Sequence, residues 1–220
     1  MSVIISKDEK LITIHTDSTT YQMAVADYGY LLHLYYGPRC EGDMRYLLSY
    51  VDRGFAPNPY EAGYQKEFSL DTLPQEYPCY GCGDFRSHAV RVRNHDDTYS
   101  LCLKYRSARI LDEKYTLPGL PAAYAQERAQ TLEVVLEDPV SRVEVTLLYG
   151  VLEDCDVITR AVHIRNRGDG PVRLEKAASF SFDLLSGSYD LICFHGRHGM
   201  ERIPERSCVT AGRKVLESRR

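Results

Sequence analysis

No serine nucleophile elbow, glycine-rich phosphate loop or HExxH stretch occurs in the 220 residues, so the familiar signatures of acyl transfer, nucleotide binding and zinc proteolysis are missing. No apolar run approaches the roughly 20 residues that span a bilayer, which argues against a membrane protein. The opening MSVIISKDEKLITIH lacks a basic segment, a long apolar core and a small-residue cleavage site. No signal peptide is therefore read, and a cytoplasmic location is expected. No lysine-arginine run stands out and the formal net charge is −4, which disfavours nucleic acid or an anionic membrane as partner. Tryptophan is absent while tyrosine numbers 17, a usage that suits β structure. The seven cysteines are an odd number and scattered; without an export signal they are expected to be reduced thiols.

What is present reads as strands nearly from end to end, in a chain long enough to bury a substantial core. LITIH (11–15), YQMAV (21–25) and LLHLYY (31–36) are separated by turns at 17–19 and 27–29. TLEVVL (131–136), VEVTL (143–147) and VITRAVHI (157–164) alternate apolar and polar residues with period two, as strands with one covered face do. Asp138-Pro139 provides a hairpin connection, and a polar run at 166–171 turns the chain into VRLE (172–175). The expected fold class is all-β, a sandwich of antiparallel sheets. The best helix candidate, LPAAYAQERA (120–129), is short.

Residues 37–88 differ, being rich in glycine, proline, asparagine and aspartate with little alternation. A long irregular segment inside a β domain is usually functional or disordered. Its nine aromatic residues from Tyr46 to Phe85 argue for order through packing. Within it, PCYGCGDFR (78–86) carries a C-x-x-C. A zinc site needs four ligands, and no second C-x-x-C exists; Cys193, His195 and His198 are a poor complement, so no metal or other cofactor is expected. A thioredoxin-like thiol needs a helix start, whereas Pro78, Gly81 and Gly83 favour a turn. Asp52, Asp71, Glu76 and Asp84 are loop carboxylates whose default reading is solvated charge, and His15, His33 and His163 read as ordinary strand positions.

Eight blocks in order then carry a resemblance. LHLYYG (32–37), DRGFAPNP (52–59), FSLDTLPQEYP (68–78), YGCGDFR (80–86), GLPAAY (119–124), TLEVVLEDP (131–139), DVITRAVHIRN (156–166) and AGRKVLESRR (211–220) are similar to the N-terminal domain of family 36 glycoside hydrolases, the bacterial α-galactosidases. The resemblance implies a galactose mutarotase-like β-supersandwich over 1–220, placed ahead of a catalytic (β/α)₈ barrel and a C-terminal β domain. It implies retaining hydrolysis of terminal α-galactosides of the melibiose and raffinose type, with two carboxylates in the barrel. A barrel takes about 250 residues of its own, so this chain is expected to be catalytically inactive alone.

The resemblance also implies a homo-oligomeric parent, a tetramer, in which loops of this domain line a neighbouring subunit's α-galactoside pocket. By position, Asp52 is the expected substrate contact, Phe55 an apolar wall, and Lys66 stands where relatives carry arginine. Lysine keeps that charge and loses the planar fork. Asp84 and Arg86 are expected to pair and brace the loop. One block departs from the family: Gly196 to Arg202 lacks the expected tryptophan and first arginine. Two alternatives remain, a carbohydrate-binding module and a purely structural β-sandwich.

Overall fold

The computed structural model describes residues 2–52, 54, 58–123, 128–184 and 187–216. These form two compact units, Met1–Asp183 and Leu184–Arg220. In the first, strands β1 (Val3–Ile5), β2 (Leu11–His15), β3 (Thr19–Val25) and β4 (Leu31–Pro38) make an antiparallel meander. A short β5 (Val90–Arg93) follows, and then a second meander of β6 (Lys104–Leu111), β7 (Ala129–Glu137), β8 (Val143–Leu152) and β9 (Val157–Asn166). Strand β10 (Arg173–Ala177) returns to pair with β5. The second unit is a hairpin of β11 (Asp190–Arg197) and β12 (Met200–Cys208), turning at Gly199 with φ +78°. This hairpin holds the block that departs from the family pattern.

The all-β expectation holds: among the described residues the helical segments are single 3₁₀ turns. Residues 120–123 are in no helix, 124–127 lie outside the described residues, and β7 begins at Ala129. The two meanders share one core. Ile12, Ile14, Tyr21 and Met23 of the first belong to the same buried cluster as Leu132, Val134, Val145, Leu147 and Tyr149 of the second. That is the face-to-face packing of a sandwich, driven by burial of the period-two apolar faces. In β8 the alternation is plain, with Val143, Val145 and Leu147 buried between half-buried Glu144 and Thr146. Strand β6 shows no such pattern in sequence, because a bulge between Tyr105 and Ser107 shifts its register and breaks the period.

The first meander is covered on its other face too. Ala24 and Leu34 pack against Met44, and Leu32 and Tyr30 against Phe68, Leu70 and Leu73. Met44, Ala62, Phe68, Leu70 and Leu73 of the irregular segment therefore cover the outer face of the sheet. This gives it order without regular hydrogen bonding, since burying each such side chain contributes about 1.5–3 kcal/mol.

Candidate functional site

The irregular segment is fastened at its start by polar residues on the outward face of β3. The hydroxyl of Thr20 accepts from the Cys40 amide at 3.1 Å. Gln22 donates to the carbonyl of Gly42 at 3.0 Å and accepts from the Met44 amide at 2.7 Å. Beyond this anchor several described side chains face solvent. Tyr46 is exposed, and Tyr60 and Tyr64 are 97% and 99% exposed, three aromatic rings in water. Asp52 stands on this crest, its carboxylate accepting the Gly54 amide at 2.7 Å in a local turn that leaves the second oxygen without a hydrogen bond among the described residues. Lys66 is exposed at the return of the crest. Phe55 lies outside the described residues.

Where the segment comes back, Arg86 ties it down. Its guanidinium donates to both carboxylate oxygens of Asp84 at 3.0 and 2.9 Å, to the carbonyls of Leu70 at 2.9 Å and Leu73 at 2.7 Å, and to Asp183 at 3.2 Å. Gln75 donates to the second oxygen of Asp84 at 2.8 Å. One planar fork thus connects three stretches of chain that share no secondary structure.

Glu76 and Asp84 correct the reading of the loop carboxylates as solvated charge. The Asp84 side chain is nearly fully buried, and Glu76 is 0% exposed at the centre of the sandwich. The Glu76 carboxylate accepts the Tyr21 hydroxyl at 2.7 and 2.8 Å, the Tyr149 hydroxyl at 2.7 Å and the Arg160 guanidinium at 2.9 Å, with His33 Nδ1 at 3.4 Å. Arg160 in turn lies over the Tyr149 ring, 3.9 Å from its centroid. Burial alone would raise the Glu76 carboxyl, but the charge of Arg160, the nearby His33 and the bond from Tyr21 hold it below the ordinary carboxylate value. Burial likewise opposes the charge of Arg160, and the tyrosines and Glu76 outweigh it, so its pKa is raised. The donors come from β3, β8 and β9, distant in sequence, which is why the local pattern around Glu76 hides its burial. A signal was available in β9: Arg160 falls in register with Ile158, Val162 and Ile164, which pack on the core. A cation at an inward position implies a buried anion.

Beside this cluster a hollow of about 340 Å³ is lined by Tyr21, Tyr36, Ile158, Arg160, Phe180 and Phe182. A larger cleft of about 860 Å³ is bordered by Tyr30, Cys82, Asn94, Cys102 and Asp138. The C-x-x-C forms a turn, with the Tyr80 amide donating to the Val90 carbonyl at 3.0 Å. Gly81 has φ +99°, and a Cβ there would stand 2.3 Å from the Tyr99 carbonyl oxygen, so the position requires glycine. All seven cysteines are free. Among the described residues, no three His, Cys, Asp or Glu side chains are arranged to hold a metal ion.

Comparison with known proteins places this architecture. Residues 29–220 match the family described as Glycosyl hydrolase family 36 N-terminal domain. The whole chain is 49% identical to 24% of the bifunctional alpha-galactosidase/sucrose kinase AgaSK of Mediterraneibacter gnavus. It is 38% identical to 30% of the alpha-galactosidase AgaA of Geobacillus stearothermophilus. The chain thus spans about a quarter to a third of the length of these curated relatives. Among solved structures, the galactosidase domain of AgaSK superposes with a TM-score of 0.90 over 96% of this chain and 29% of that one. The alpha-galactosidase AgaB of Geobacillus stearothermophilus, at 37% identity, superposes with 0.87 over 100% of this chain and 30% of that one. Variants of AgaA have been solved in complex with raffinose and with stachyose.

Proposed function

Because the chain belongs to the glycosyl hydrolase family 36 N-terminal domains, we propose that it is the front β domain of a longer α-galactosidase and lends a loop to substrate held by a neighbouring subunit. The observation that carries this reading is the crest at 43–66. It is fastened to the sheet by Thr20 and Gln22, yet presents Asp52, Lys66, Tyr60 and Tyr64 to solvent. A solvent-facing carboxylate accepts from a pair of sugar hydroxyls, and aromatic faces pack on the apolar side of a pyranose. Catalysis belongs to two carboxylates outside these residues, one a nucleophile and one an acid/base, acting on a terminal α-galactoside. The parent assembles as a homo-oligomer, which brings the crest within reach of the next subunit's substrate.

The test uses the full-length enzyme carrying this chain. Asp52→Ala removes a hydrogen bond to a charged group, worth about 1.5–3 kcal/mol, so KM for raffinose rises roughly ten- to a hundredfold. An unchanged KM overturns the loop's role. The 220-residue chain by itself is expected to leave a chromogenic α-galactoside intact, and hydrolysis would show that its carboxylates form a site of their own.

A second reading, a sugar-binding module, is favoured by one observation: the hollow walled by Tyr21, Tyr36, Phe180 and Phe182. Titration of the chain with melibiose, and of its Tyr36→Ala variant, separates the two. Saturable binding abolished in the variant supports the module.

A further inference from the structure

The turn at 79–82 holds two thiols that the proposed carbohydrate role does not use. Their sulfur atoms are 3.6 Å apart. Cys79 is buried and donates to the Leu101 carbonyl at 3.0 Å; Cys82 donates back to the Cys79 carbonyl at 3.2 Å. Cys82 is half-buried and borders the large cleft, whereas Cys79 is buried and does not line it. The geometry points to a reversible dithiol–disulfide site at Cys79 and Cys82, oxidised by low-molecular-weight disulfides that enter through the cleft.

The two sulfurs have distinct roles in this chemistry. Cys82 is the member of the pair that borders the cleft, while the neighbouring Cys82 sulfur and burial push the Cys79 thiol up. Cys82 is therefore the attacking thiolate. It displaces one thiolate from the small disulfide and forms a mixed disulfide at its own sulfur. Cys79 then gives its proton to the departing thiolate and attacks the Cys82 sulfur, releasing the second half of the reagent as a thiol. In balance, two protein thiols and one small disulfide become one protein disulfide and two small thiols. The turn is shaped for closure: Gly81, seated against Tyr99, brings the flanking residues back toward each other, and the amide of Tyr80 fixes the turn to β5. Cys102, which also borders the cleft, is the rival partner for Cys82; its sulfur is instead engaged by the Tyr30 hydroxyl at 3.1 Å.

The experiment exposes the folded chain to oxidised glutathione, then maps unreduced tryptic peptides by mass spectrometry. The peptide 67–86 contains Cys79 and Cys82 and no other cysteine. It is expected to lose two hydrogens without gaining glutathione, and to regain them with excess dithiothreitol. In Cys79→Ser the same peptide accumulates a stable glutathione adduct at Cys82, and in Cys82→Ser it stays unmodified. A peptide 67–86 that remains fully reduced while exposed Cys155 and Cys208 are glutathionylated overturns the assignment. So does a cross-link from Cys82 to the peptide containing Cys102.

Discussion

Glu76→Gln keeps the shape of a side chain buried at the heart of the sandwich and deletes its charge. Arg160, whose side chain is 9% exposed, then has no anion at 2.9 Å, and the new amide group meets hydroxyls from Tyr21 and Tyr149 that were oriented as donors. Removing one partner of a buried ion pair costs about 3–5 kcal/mol, because the remaining charge is left in a poorly polarisable interior. For a unit of this size that is a fall in Tm of roughly 6–20 °C. Urea unfolding at pH 7, followed by far-ultraviolet circular dichroism and tyrosine fluorescence, measures it. Arg160→Met should be comparably harmful, and the double variant should recover about 1–3 kcal/mol relative to the sum of the singles. The pH dependence has a definite sign. Glu76 is held below its usual value of 4.5 in the folded state, so its contribution is complete above that value and is lost as pH falls through the lowered folded value. The gap between wild type and Glu76→Gln should therefore narrow below about pH 4.5. A gap under about 1 kcal/mol at pH 7, or one that does not change down to strong acid, refutes the reasoning.

Arg86→Ala should destabilise by about 1–3 kcal/mol, since it removes one donor each from the carbonyls of Leu70 and Leu73 and leaves buried Asp84 with Gln75 as its remaining side-chain donor. Arg86→Lys should restore less than half of that loss in the same denaturation assay, because an ammonium cannot span the three stretches at once. Gly81→Ala should lower stability by about 1–3 kcal/mol through its φ of +99° and the clash with Tyr99; an unchanged unfolding midpoint would mean that the thiol turn is not seated as described. With Tyr60, Tyr64 and Phe180 exposed, the chain should self-associate weakly, and a light-scattering mass that stays at 25.1 kDa up to high concentration would count against it.

Strand identity was legible where the period of two was intact. In β7 and β8 the inward set, Leu132, Val134, Val145 and Leu147, can be read directly from the alternation, and both are in the core. It was not legible in β6, where a bulge breaks the period, nor in β12, whose residues MERIPERSC are mostly exposed and carry a proline. The packing of Met44, Ala62, Phe68, Leu70 and Leu73 over the first sheet explains why β2 and β3 are buried on both faces although their sequences suggest one.

The amino-acid sequence determined what depends on near neighbours: the all-β class, the turns marked by glycine, proline and aspartate, and the ordered blocks that mark family 36. Tertiary structure decided what depends on which strands come to lie opposite each other. Nothing beside Glu76 in the chain announces Tyr21, Tyr149 or Arg160, which lie 55, 73 and 84 positions away and meet it only after the two meanders have closed. The same closure converts a loop carboxylate into a buried anion. It also leaves Asp52 exposed to water, while the bonds of Thr20 and Gln22 hold residues 40–44 to the sheet.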